Sequence, residues 1–128
     1  MNKLIVILCT VFALTACTLK SQDSEAVRKA EIATKITEWC EIKPILAEET
    51  RITVEVLLER AGTKDCKKAG EILSNLTQLH LGKSNISDLA PISDLTNLMT
   101  LNLSENNISD LAQLSALTNL SRLDLSRN

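Results

Sequence analysis

The stretch at residues 76–97 reads LTQLHLGKSNISDLAPISDLTN, and residues 98–119 follow it with LMTLNLSENNISDLAQLSALTN. Residues 120–128, LSRLDLSRN, begin a third copy. Leucine or isoleucine therefore returns at the same places every 22 residues. A fixed period of this length is typical of proteins whose repeats stack side by side, each contacting only its neighbours. Such proteins usually present a binding surface, so the repeat predicts a binding module rather than a reaction centre.

Within one copy, Leu98, Leu101 and Leu103 have the spacing of a short strand with inward side chains. The remaining apolar positions line the return path: Ile108, Leu111, Leu114 and Leu117. The matching set in the copy before is Leu76, Leu79, Leu81, Ile86, Leu89, Ile92 and Leu95. This pattern resembles the 22-residue leucine-rich repeat of internalin-type and other bacterial surface proteins across 76–128. The resemblance implies an α/β leucine-rich-repeat solenoid, with a short parallel sheet on its concave side and helical or irregular turns on its convex side.

The family carries an asparagine at the ninth position, whose amide satisfies backbone groups where the strand turns into the return path. Asn106 and Asn128 match this position, but Ser84 does not. Because serine offers fewer hydrogen bonds, we expect a looser first turn, or Asn85 in the role of the missing amide.

The outward strand positions form two polar columns across the expected sheet. A partner-binding face is predicted at Gln78, Thr100 and Arg122 in one column and His80, Asn102 and Asp124 in the next. A further column of Lys83, Glu105 and Arg127 alternates in charge, and we interpret it as mutual charge pairing rather than a ligand site.

The sequence does not indicate an enzyme, a metal site or a cofactor. His80, Asn102 and Asp124 resemble a hydrolytic constellation by residue type, but no serine or cysteine nucleophile stands on an activating turn beside them. His80 is also the single histidine, which disfavours a metal site. With three glycines in all, the chain has no phosphate-binding glycine loop. We therefore expect no catalytic residue and no cofactor.

The N-terminus resembles a bacterial lipoprotein signal. Lys3 precedes an apolar run from Leu4 to Leu14, and the sequence LTAC ends at Cys17. The run is shorter than the roughly 20 residues that cross a bilayer as a helix. The resemblance implies removal of residues 1–16, a lipid on Cys17 and a location in the cell envelope, with the outer membrane favoured if the organism has one. The alternative is a conventional signal peptide in which LTAC occurs by chance.

Residues 17–24 are polar and are predicted to be a tether. Residues 25–75 are predicted to be a helical N-terminal cap, because a stack of repeats needs an atypical amphipathic unit to cover its first core. Apolar spacing predicts helices over Glu25 to Cys40 and Glu48 to Ala61, with Gly62 as a C-terminal cap, and a third from about Thr63 or Asp65. The expected buried faces are Val27, Ala30, Ile36 and Trp39; Ile52, Val56, Leu57 and Ala61; and Cys66, Ala69, Ile72 and Leu73.

Cysteine use favours a single disulfide. Cys9 leaves with the signal and Cys17 takes the lipid, so Cys40 and Cys66 remain in an oxidising compartment. A disulfide would stabilise the fold by about 3 to 4 kcal/mol in the chain-entropy model. The alternative is a pair of buried free thiols.

Two function classes remain open. The first is a lipid-anchored protein-interaction module whose protein partner is unknown. The second is a truncated or degenerate repeat protein with a structural role, which self-associates through an edge strand carrying Leu120, Leu123 and Leu125. Nucleic acid is an unexpected partner, because removal of Lys3 with the signal leaves 13 of the 14 basic residues against 16 acidic ones.

Overall fold

The computed structural model describes residues 24–128. The predictions for the signal, the lipidated Cys17 and residues 17–23 of the tether lie outside these residues. The chain order is α1 (Ser24–Glu41), a 3-10 turn (Lys43–Ile45), α2 (Glu48–Ala61), α3 (Cys66–Ser74), β1 (Gln78–His80), α4 (Ala90–Ser93), β2 (Thr100–Asn102), a 3-10 helix (Ala112–Ala116) and β3 (Arg122–Asp124). The first two predicted helices are confirmed to within one residue at each end.

The first helix buries a different face from the one predicted. Ile32, Ile36 and Cys40 are its buried residues, whereas Val27 is 53% exposed and Ala30 is also exposed. The reason is that the first two turns of α1 lie in solvent, and the helix packs on α3 only further along. An apolar spacing cannot show where along a helix its neighbour begins.

The second helix is also rotated about its axis relative to the prediction. Of the predicted face only Leu57 is fully buried, and the other buried residues are Thr53, Val54 and Leu58. Thr53 is buried because its hydroxyl donates to the Asp88 carbonyl at 2.7 Å. Gly62 ends the helix with φ of 70°, as predicted for a C-terminal glycine in the left-handed region.

The third helix begins at Cys66, with Asp65 as its N-cap: one carboxylate oxygen accepts the Lys68 N–H at 3.1 Å. Ala69 and Leu73 are buried as predicted, but Ile72 is 42% exposed, so its predicted burial is wrong. The buried residues next to it on α3, Ala69 and Gly70, are small because α1 crosses α3 closely at that point.

Gly70 makes that close crossing possible. A Cβ at this position would overlap the Ala33 carbonyl oxygen and lie 2.7 Å from the Thr37 hydroxyl. The Thr37 hydroxyl itself donates to the Ala33 carbonyl at 2.7 Å and to the Cys66 carbonyl at 3.3 Å. The two helices are also joined by Cys40 and Cys66, whose sulfur atoms lie 2.00 Å apart in a disulfide bond.

The repeats form a parallel sheet in the order β1-β2-β3. The predicted core is buried throughout the first copy except at Leu76, which is partly buried; the rest are Leu79, Leu81, Ile86, Leu89, Ile92 and Leu95. In the second copy Leu111 is 47% exposed and Leu114 is partly buried, which corrects the prediction for both. The second copy and the helices cover Leu89 and Ile92. Among the described residues there is no third return path that would cover the corresponding leucines of the second copy.

The repeat register extends back into α3. Leu73, Ser74 and Asn75 correspond after 22 residues to the Leu-Thr-Asn that ends each later copy. The hydrogen bonds agree: the Asn97 amide donates to the Ser74 carbonyl at 3.0 Å, and the Asn119 amide donates to the Thr96 carbonyl at 2.8 Å. The end of α3 therefore occupies the place of a return path, directly beside the first full copy.

Candidate protein-binding face

The sheet brings the six predicted binding residues onto one face, which we call the polar sheet face. Gln78 is in register with Thr100 and Thr100 with Arg122; His80 is in register with Asn102 and Asn102 with Asp124. Thr100 and Asn102 are partly buried, and the other four are exposed. Since paired strands lie about 4.8 Å apart, each column is a continuous polar strip across three strands.

Two of these six side chains also hold a local turn. One side-chain oxygen of Asn102 accepts both the backbone N–H (2.9 Å) and the hydroxyl (2.7 Å) of Ser104. Asp124 does the same with Ser126, at 2.9 and 2.7 Å. These two bonds, first the backbone N–H and then the hydroxyl, lower the pKa of Asp124 below its ordinary value.

This second role was visible in the sequence as an Asn or Asp two residues before a serine, the spacing of an Asx turn. The first copy has His80 and Gly82 at these positions and lacks the turn. The other four side chains of the face do not hold such a turn, so a test of the face should begin with them: Gln78, His80, Thr100 and Arg122.

The charged column beside this face is an ion-pair network, as expected. Glu105 lies 3.6 Å from the Lys83 ammonium and 3.2 Å from the Arg127 guanidinium. All three residues have positive φ, between 55° and 59°, at the turn that follows each strand. Their charges satisfy one another at the surface, where each pair contributes only tenths of a kcal/mol.

The ninth-position asparagine joins neighbouring copies. The buried Asn106 accepts the N–H of Ser84 at 3.0 Å and of Ile86 at 2.9 Å through one oxygen. Its amide donates to the Leu81 carbonyl at 2.8 Å and the Leu103 carbonyl at 2.9 Å. The turn at Ser84 is thus held from the next copy, which overturns the expectation of a loose turn.

Asn85 does not substitute for the missing amide. Its side-chain oxygen accepts from the Asn107 amide at 2.5 Å, at the surface. That alternative prediction is wrong, because Asn85 has positive φ (57°) and its side chain stays at the surface beside Asn107 rather than entering the turn.

Trp39 lies where the helices meet the first copy. Its indole N–H donates to an Asp94 carboxylate oxygen at 2.7 Å, and the Lys35 ammonium lies 3.3 Å from the other oxygen. The Thr50 hydroxyl makes a parallel connection to the Asp88 carboxylate at 2.5 Å. Trp39 packs against both buried clusters, so it serves packing and orientation rather than a ligand.

A cavity of about 750 Å³ lies away from the polar sheet face, beside the disulfide and the end of α2. No group of three or more potential metal ligands occurs within residues 24–128. None of the helices in that range has the length and apolar character needed to cross a membrane.

Comparison with known proteins agrees with the repeat. Residues 74–128 match the family model described as leucine rich repeat. The matched segment starts at Ser74, inside α3, as the hydrogen-bond register does. Neither the curated proteins nor the solved structures gave a match. This segment is thus similar to leucine-rich repeats, a class that generally serves as a protein-interaction module.

Proposed function

We propose that this chain is a lipid-anchored protein of the bacterial cell envelope whose repeats hold a protein partner against the polar sheet face. The 22-residue copies are of the internalin type and form a short solenoid, and α1 to α3 act as its N-terminal cap. The observation that carries the proposal is the register of the two polar columns, which places six polar side chains on one face.

The chemistry of this face suits a polar partner segment. Gln78, Thr100 and Arg122 offer donors and acceptors along one strip, and His80 adds an imidazole to the next. Met99, 51% exposed, lies just before β2 and supplies an apolar contact. The described sheet carries no exposed aromatic side chain, and such anchors usually dominate tight interfaces. We therefore expect binding that is weak or transient.

The cap assignment is supported by the contacts between the helices and the first copy. Trp39 and Thr50 each donate to an aspartate of that copy, Asp94 and Asp88. In the second copy position 94 corresponds to Ala116, so this acceptor belongs to the copy that meets the helices. One apolar cluster runs from Ile32 and Ile36 into the repeat leucines.

The lipid anchor is supported by the apolar run and the LTAC sequence that ends at Cys17. A chain with two or three acyl groups stays on a membrane almost permanently, at about 0.8 kcal/mol for each buried methylene. Metabolic labelling with an alkyne fatty acid tests it. The unchanged chain should be labelled and membrane-bound, and Cys17→Ser should lose both the label and the membrane fraction. Labelling that survives Cys17→Ser contradicts the anchor.

The binding face is tested by site-specific photo-cross-linking in intact cells. A photoreactive residue at His80 or Gln78 should capture the same discrete protein, which replacement of Arg122 by Ala should weaken. The matched control is Ser115, which is also exposed but lies on the return path of the second copy. Equal capture from Ser115 would show that the sheet face is not the binding surface.

A further inference from the structure

The turn at residues 42–46, between α1 and α2, holds an isoleucine out in solvent. Ile45 is 83% exposed, the highest value for a large apolar side chain among residues 24–128, and Ile42 is 42% exposed. The backbone of this turn is ordered by Pro44 and by two hydrogen bonds: the Ile45 N–H donates to the Ile42 carbonyl at 3.0 Å, and the Leu46 N–H donates to the Lys43 carbonyl at 3.3 Å. A side chain displayed on an ordered turn loses little conformational entropy when it binds another surface.

The open cavity of about 750 Å³ adjoins this turn. It lies among the end of α1, the end of α2 and the start of α3. Its apolar lining consists of Leu58 and the disulfide between Cys40 and Cys66, and its lining also includes Lys43, two residues before Ile45. Binding cavities commonly have volumes of roughly 300 to 1,000 Å³ and mainly apolar walls. An exposed apolar side chain and a cavity that can hold one are therefore neighbours at one end of the three helices.

The charges around the turn are opposite to those at the α3 side of the cavity. Two exposed glutamates, Glu41 and Glu49, flank the turn, and we call them the acidic pair. Lys64 lines the cavity, and Lys67 and Lys68 are exposed on the first turn of α3; we call these three the basic cluster. None of the ion pairs formed among residues 24–128 includes any of these five residues. Their charges can therefore pair with those of a second molecule.

The α2 side of the cavity carries the opposite sign. Glu55 lies 3.7 Å from the Lys43 ammonium, and Glu59 follows one helical turn later and also lines the cavity. The cavity thus has an acidic α2 side and a basic α3 side. An occupant with acidic flanks is directed to the α3 side and repelled from the α2 side, which fixes its orientation.

We propose that a second copy of this chain binds here, as a two-fold dimer in which Ile45 of each copy enters the cavity of the other. Each copy offers an apolar side chain with acidic neighbours and an apolar cavity with basic neighbours, so the surface is complementary to itself. Because the turn and the cavity are neighbours, one two-fold axis between them forms both contacts at once. Ile45 packs against Leu58 and the disulfide, and the acidic pair of each copy faces the basic cluster of the other. No residue of the polar sheet face takes part, so this dimer does not depend on the partner proposed for that face.

The first test is photo-cross-linking of the full chain in intact cells that carry two differently tagged copies. A photoreactive residue at Ile45 should join the two tags, and the cross-linked peptide should come from residues 55–66 of the second copy. The matched control is a photoreactive residue at Val27, which is 53% exposed on the same group of helices. Val27 lies about 20 Å from Cys40 along α1, at 1.5 Å for each of the 13 residues between them, so it should give no dimer above background.

The second test exchanges the charges of the two surfaces in chains that keep the photoreactive residue at position 45. One variant carries Glu41→Lys and Glu49→Lys, and the other carries Lys67→Glu and Lys68→Glu. Each variant alone should lose the homodimer, because like charges then face each other at both contacts. The two variants expressed together should cross-link to one another, since opposite charges face each other again at both contacts. All four positions are exposed, so the urea unfolding of each variant, followed by Trp39 fluorescence, should match that of the unchanged chain.

The proposal is overturned if position 45 gives no homodimer, if it cross-links no better than position 27, or if it captures a different protein. A cross-linked peptide from outside residues 55–66 also overturns it. Variants that keep their homodimers, or folded variants that fail to cross-link to one another, overturn the pairing of the acidic pair with the basic cluster. Capture of a partner at His80 is measured separately, so the failure of one proposal is distinguishable from the failure of the other.

Discussion

Replacing Asn106 by alanine should remove a buried side chain that hydrogen-bonds to the backbone of both full copies. Asn106 is 6% exposed; its side-chain oxygen accepts two N–H groups of the turn before it, and its amide N–H groups donate to the Leu81 carbonyl of that turn and the Leu103 carbonyl of its own. Alanine would leave the buried Ile86 N–H without a partner and remove a donor from the Leu81 and Leu103 carbonyls.

The expected loss follows from those groups. An unsatisfied buried backbone group costs about 1 to 3 kcal/mol, and carbonyls that keep other partners cost less. We therefore expect the free energy of unfolding to fall by about 3 to 5 kcal/mol. A domain of this size has a total stability of about 5 to 15 kcal/mol, so the change removes a large share of it.

The assay is urea unfolding, followed by circular dichroism and by the fluorescence of Trp39, the single tryptophan of the chain. Trp39 reports the junction between the helices and the first copy, so coincident curves from both probes justify a two-state fit. The matched control is Asn128→Ala. Asn128 makes the corresponding bonds to Ile108 and Leu103 but is exposed, and water can replace it. We expect its loss to be about 1 kcal/mol.

The reasoning would be refuted if Asn106→Ala lowered the free energy of unfolding by no more than Asn128→Ala. That result would mean that water or a backbone shift satisfies the buried groups, and that the asparagine does not join the copies.

Three further changes test the helices and the polar sheet face. Gly70→Ala should lower the free energy of unfolding by about 1 to 2 kcal/mol in the same urea assay. The overlap of the new Cβ with a fixed carbonyl of α1 outweighs the roughly 1 kcal/mol gain in helix propensity. A stabilised variant would contradict the close crossing of the two helices. Replacing Cys40 and Cys66 together by alanine should cost about 3 to 4 kcal/mol, and a reductant should then have no further effect on unfolding; an unchanged midpoint speaks against the disulfide. Hydrogen bonds from Ser126 lower the pKa of the Asp124 carboxyl group. The stability that Asp124 contributes is therefore present above its unfolded-state pKa and is lost as the pH falls through its folded-state pKa. An NMR titration that finds an ordinary or raised pKa for Asp124 contradicts this.

The periodic part of the fold was predictable because each copy constrains the next. A one-residue error in the strand register would misplace every leucine in three copies, so the sequence allows only one alignment of Gln78, Thr100 and Arg122. The family match over residues 74–128 covers the same segment.

The helices were predictable in position but not in orientation, because nothing repeats in them. The buried residues that decide their packing include Thr53 and Gly70, which no apolar pattern selects. Thr53 is buried because its hydroxyl donates to the Asp88 carbonyl, and Gly70 is buried because α1 crosses directly over it. Ile72, by contrast, is apolar and exposed, because α3 presents its small residues to α1. Such choices depend on which helix lies opposite, information that one segment of sequence does not carry.

The serine at position 84 shows how the register of the repeat explains a departure from its pattern. Each ninth-position asparagine accepts N–H groups from the turn one copy before it: Asn106 from Ser84 and Ile86, and Asn128 from Ile108. An asparagine at position 84 would find no such turn, because 22 residues earlier the chain is ending α2 at Gly62. Asparagine is therefore absent at the one ninth position where its side-chain oxygen would have no N–H groups of a preceding turn to accept. The change from helices to repeats also explains why α3 follows the repeat register only from its last turn. The helices supply a surface for the first copy to pack on, but they lack the backbone turn whose N–H groups bond to the asparagine of the next copy.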